Sequence, residues 1–77
     1  MNNLAICLVS DEEFTEGFIY ECTQPYDGMI DVCSPKGGFV TMDADDKNFT
    51  FILNPNETIE QILKNNHTVF DYQGSIL

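Results

Sequence analysis

From Gly17 to Leu53 the chain breaks into four short runs of alternating side chains separated by turn residues, and strands joined by tight turns fit that spacing. Phe18 to Thr23 sets Phe18, Tyr20 and Cys22 against Ile19, Glu21 and Thr23, a strand with one buried face. Pro25, Tyr26, Asp27 and Gly28 form a turn with proline at its first corner. Met29 to Cys33 puts Ile30 and Val32 opposite Asp31, and Ser34 to Gly38 makes a second turn. Phe39 to Met42 is a short strand, Asp43 to Lys47 an acidic turn, and Phe49 to Leu53 alternates again.

Upstream, Leu4 to Val9 is a continuous apolar run, the pattern of a strand buried on both faces. The loop Ser10 to Gly17 carries four carboxylates around Phe14. Ser10 followed by three acids reads as a helix start of one turn at most. The period changes at Asn54: a cap at Asn54, proline at the first helical position and Glu57 three residues after the cap predict a helix over about 55–65. Ile59, Ile62 and Leu63 line one face of it, and Asn65 or Asn66 would end it in the left-handed conformation. Thr68 to Tyr72 reads as a last short strand or packed tail, and Gly74 to Leu77 as frayed. The expectation is one β-rich α+β domain over 1–77. It is a small antiparallel barrel or curled sheet of five to six strands (about 4–9, 18–23, 29–33, 39–42 and 49–53), with one C-terminal helix and a tail from 66.

The charge is as uneven as the pattern. Thirteen acids face three lysines and no arginine, for a formal net charge of −10. Residues 11 to 46 alone hold ten acids and one lysine. Such a field repels nucleic acid and anionic membrane and draws in basic protein surfaces. With 43% hydrophobic residues the chain still has the means to build a core. A chain of 77 residues buries only about 60% of its unfolded surface, so its stability is modest.

A short apolar first strand, an acidic loop, Gly17-Phe18-x-Tyr20, the Asp27-Gly28 turn, and Gly38-Phe39-Val40 with Asp43 beyond it together resemble the small SH3-like barrel proteins encoded by bacteriophages. The likeness covers residues 4 to about 53, and the helix and tail depart from it. It implies a non-catalytic binding domain, often one acting on host machinery.

Chemistry-bearing residues give little else. A calcium loop begun at Asp43 fails at Lys47, Asn48 and Asn54, where an EF-hand requires an oxygen ligand, glycine and glutamate. Cys7, Cys22 and Cys33 lack paired spacing for zinc, and each lies in a predicted strand as a free buried thiol. His67 stands alone beside a helix end, and nothing local joins it to Cys22 or Cys33 as a catalytic pair. No cofactor or metal is expected. Tripeptides at Asn48, Asn56 and Asn66 match glycosylation acceptors. Asn2 and Asn3 stand where a leader needs a cation, so a reduced cytoplasm and chance matches are the expectation.

The site expected is therefore an acidic face formed by Asp11, Glu12, Glu13, Glu16, Glu21, Asp27, Asp31, Asp43, Asp45 and Asp46. Strand residues two apart lie about 6.6 Å from one another on one face. That approaches the spacing of phosphates along a nucleic-acid strand, so rows from Asp11, Glu13, Glu16, Glu21, Asp31, Asp43 and Asp45 would imitate one. The expected partner is the basic surface of a host nucleic-acid enzyme, with no direct binding to nucleic acid or membrane. The plainer reading is that the acids keep a small sheet soluble. Two other classes stand beside these. One is an adaptor with Phe14, Tyr26 and Phe39 as an aromatic hot spot. The other is a self-associating structural component, a homodimer through an exposed edge strand such as Phe39 to Met42 or through the Val69 to Tyr72 tail.

Overall fold

A computed structural model describes residues 3–77; Asn2, read above as part of an unsuitable leader, lies outside them. The elements are β1 (Asn3–Cys7), β2 (Ile19–Cys22), β3 (Met29–Cys33), β4 (Phe39–Asp43), β5 (Phe49–Ile52), α1 (Glu57–Asn66) and β6 (Val69–Phe70). They build a curled half-barrel in the order β4-β3-β2-β1-β5, antiparallel throughout except that β6 joins β2 in parallel. Strand β2 is the branch point. It meets β3 through Cys22 and Val32, which leaves Ile19 and Tyr20 to receive Val69 and Phe70.

Alternation along the strands sorts the core into two layers. Ala5, Cys7, Tyr20, Cys22, Ile30, Val32 and Phe49 fill the inner face together with Phe14 from the β1–β2 loop. Leu4, Ile19 and Val69 form a smaller cluster on the outer face, covered by Ile6, Ile52 and Leu63. This second layer corrects the reading of β2 as a strand with one buried face: all four of its residues are buried, Ile19 in the outer cluster with Val69.

Several expectations are corrected at element ends. Strand β1 stops at Cys7, and Leu8 and Val9 are 44% and 52% exposed, because the chain leaves the sheet there and no element covers them. The loop forms no helical turn. Its N–H groups go instead to Asp11, whose Oδ1 accepts from Glu13 N and Phe14 N, while Ser10 Oγ accepts from Glu16 N. The β2–β3 turn has its corner two residues later than expected: Tyr26 and Met29 exchange backbone bonds around Asp27 and Gly28, whose φ values of 50° and 75° are those of a two-residue hairpin. Pro25 therefore stands before the corner.

The helix is capped by Asn56, whose Oδ1 accepts from Ile59 N at 2.9 Å, and not by Asn54, which takes a positive φ of 51° at the end of β5. It ends on extended His67 with Asn66 Nδ2 donating to Ile62 O, so no left-handed asparagine is involved. Of its apolar residues Leu63 packs on the sheet, while Ile59 and Ile62 are 43% and 55% exposed. The expected frayed end is instead a strap. Phe70 bridges Ile76, Leu77 N donates to Val69 O, and Gly38 N donates to Tyr72 O.

Candidate partner-binding groove

The curled sheet leaves β4 and β5 as its two edges, with the Ala44–Asn48 connection between them. Where these strands diverge lies an open groove of about 450 Å³. The β1–β2 loop makes one wall. Asp11 holds the amides of Glu13 and Phe14 at 2.8 and 2.7 Å, and this tight turn drops Phe14 into the core, edge-on to Tyr20 (centroids 4.8 Å apart) and Phe49 (5.1 Å). Thr15 N donates to the Tyr20 hydroxyl and fastens the other end of the loop. Val40 and Met42 of β4 make the opposite wall, and the buried rings of Phe14 and Phe49 close the floor between. Asp11, Glu12, Glu13, Asp46 and Asn48 complete the lining.

These acids are held differently. Asp46 Oδ1 accepts from Asn48 N at 2.8 Å, which fixes the turn. Glu13 Oε1 accepts from Ser34 Oγ, and its Oε2 lies 3.6 Å from Lys36 Nζ. Glu12 is exposed, and among the described residues no hydrogen bond or ion pair of its side chain is seen. The lining combines about four carboxylates with an apolar interior, the complement of a lysine or arginine side chain whose stem is apolar and whose head is charged.

The remaining expected acids lie elsewhere. Asp43 and Asp45 are exposed beside the groove, Glu16 is exposed at the far end of the loop, and Asp27 occupies the hairpin corner. Asp31 is half-buried, and its Oδ1 accepts from Tyr26 Oη at 2.9 Å and Thr41 Oγ1 at 2.6 Å. Glu21 is 8% exposed on the buried central strand, which corrects its place on an open acidic face. The rows expected to space carboxylates like phosphates are thus interrupted at Glu21.

The aromatic patch is also corrected. Phe14 is 2% exposed and belongs to the core, because Asp11 turns the loop inward. Tyr26 and Phe39 are 48% and 53% exposed, and Phe39 stacks on Tyr72, with centroids 6.3 Å apart. Tyr72 sat in a stretch read as strand or tail, and its spacing from Phe39 in sequence carried no sign of the pairing. The bond to Asp31 raises the Tyr26 hydroxyl above its ordinary range.

All three cysteines are free and buried. Burial, reinforced by the neighbouring Cys33 thiol and by Glu21, pushes the Cys22 thiol up to about 12. Burial, with Glu21 and Asp71, does the same to Cys33. Both stay protonated near neutral pH and are poor nucleophiles. Among the described residues no group of three or more His, Cys, Asp or Glu side chains could hold a metal ion, and no helix is long and apolar enough to cross a membrane. His67 Nδ1 lies 3.2 Å from Gly17 O at the helix end. No model of a known protein family matches the chain, and no curated protein or solved structure matches it either.

Proposed function

We propose that this chain is a non-enzymatic, cytoplasmic acidic binding protein of bacteriophage origin that inhibits a host nucleic-acid-binding protein or defence enzyme by covering its basic surface. The observation that carries this reading is the groove, where Asp11, Glu12, Glu13 and Asp46 rim the half-buried Val40 and Met42 above a floor of buried Phe14 and Phe49. A basic surface that meets phosphates through lysine and arginine finds there both a negative field and a place for the side-chain stems. Recognition depends on this site more than on a continuous phosphate-like row, since Glu21 is buried and Asp31 is engaged by Tyr26 and Thr41. The net charge of −10 adds steering over longer range.

The test is the double variant Glu12→Lys and Asp46→Asn, which raises the groove's charge by three while asparagine keeps an Oδ1 acceptor for Asn48 N. Captured basic partners should be lost with the circular-dichroism spectrum unchanged. Undiminished capture by the variant would remove the groove from the account.

A further inference from the structure

The open sheet edge at the groove suggests how a partner is held, an inference that rests on the reading above and deepens it. Ser34 N donates to Gly38 O and Ala44 N to Gly28 O, which marks the pairs either side of the β3–β4 ladder as hydrogen-bonded. Alternation along an antiparallel ladder then makes Val40 and Met42 the residues bonded to β3, and turns the backbone N–H and C=O of Phe39 and Thr41 away from it. On the other edge Leu8 N donates to Asn48 O. The same alternation turns the backbone groups of Phe51 away from β1. Among the described residues, backbone groups without a partner strand therefore flank a groove that is apolar inside and acidic at its rim.

We infer that an extended, lysine- or arginine-bearing segment of the partner adds as a strand along β4. Its backbone bonds the outward groups of Phe39 and Thr41, as peptides do when they extend an exposed sheet edge. Its alternate side chains lie on the same face as Val40 and Met42, so their stems cover the apolar lining and their charged heads reach Glu12, Glu13 and Asp46. Charge selects the occupant: the rim is acidic, and an acidic or neutral strand would gain the backbone bonds without the pairing of heads. A second copy of this chain is disfavoured at this edge by the same argument, because its own β4 carries no cation and ends on Asp43.

The experiment compares two fluorescein-labelled peptides, acetyl-Lys-Val-Lys-Val-Lys-Val-Lys-amide and the same sequence with every interior amide N-methylated. The second keeps charge and side chains but removes the donors. The plain peptide should bind at least about tenfold more tightly, as expected when backbone bonds are lost. Amide hydrogen exchange at Thr41, followed by NMR, should slow when it binds. Equal affinity of the two peptides with unchanged exchange at Thr41 would overturn strand addition and leave the charge-driven reading standing. No binding of either peptide to the wild-type protein would overturn both.

Discussion

Replacing Phe14 by alanine tests the loop geometry on which the groove depends. Phe14 is 2% exposed and sits edge-on to both Tyr20 and Phe49. Burying a side chain of this size contributes about 3 kcal/mol, and each edge-to-face contact adds about 0.5–1 kcal/mol. The sum, about 4 kcal/mol, falls within the range of roughly 3–5 kcal/mol for deleting a buried aromatic ring. A chain of this length has a total stability of only about 4–12 kcal/mol. The loss therefore takes up a large share of it. In urea, with a slope of about 1 kcal/mol per molar, the unfolding midpoint read by circular dichroism should drop by about 4 M. Phe14→Leu, which keeps most of the volume, should lose about 1.5 kcal/mol and remains measurable if the alanine variant is unfolded at the outset. A surface aromatic would behave otherwise, with both variants within about 0.5 kcal/mol of wild type. That outcome would refute the placement of the loop and, with it, the groove wall.

Three further substitutions or titrations test other parts of the structure. Asn56→Ala removes the acceptor for Ile59 N and should cost about 1 kcal/mol in urea unfolding, whereas an unchanged midpoint would return the cap to another residue. Gly74→Ala adds a Cβ 2.6 Å from Pro35 O at a φ of +80°, while Gly17→Ala meets nothing within 4 Å at a φ of +85°. Backbone strain alone makes the second cost about 1 kcal/mol, and the collision should raise the first to about 3 kcal/mol; equal costs would mean the tail does not press on the β3–β4 turn. Burial raises the thiols of Cys22 and Cys33 from 9.0 to about 12, so the folded state favours their protonated forms. Their contribution to stability is complete below pH 9.0 and is lost as pH climbs toward about 12, with buried Tyr20, also raised, acting in the same direction. Urea midpoints that held steady over that interval would contradict the burial of both thiols.

The strands were legible because each carries its own alternation and is bounded by turn residues, as in Met29–Cys33, where the expected and observed limits coincide. Errors gathered where a neighbour decides the outcome. Leu8 and Val9 continue an apolar run in sequence, but the partner strand β2 ends its pairing at Ile6 and Ile19, and nothing covers them. The proline and acid that follow Asn54 place the cap there on sequence, but Asn54 takes a positive φ just after β5 and the cap falls to Asn56. Glu21 reads as solvent-facing from alternation alone, yet it is 8% exposed and shares a small pocket with Cys33, Phe39 and Tyr72, the last of these about fifty residues away in sequence. The groove mixes both kinds of information. The acids at 11–13 and 46 are evident as charge, but the carboxylate of Asp11 that folds Phe14 inward is a local hydrogen bond disguised as a surface charge.

The most direct test of the central claim is a parallel pull-down from bacterial lysate with the wild-type chain and the Glu12→Lys, Asp46→Asn variant, washed at low and then at high salt, with bound proteins identified by mass spectrometry. Nucleic-acid-binding proteins should be recovered on the wild type and leave at high salt, as screened charge pairs do, and should be absent from the variant. The same proteins retained equally by both, or held through high salt, would contradict a charge-driven groove.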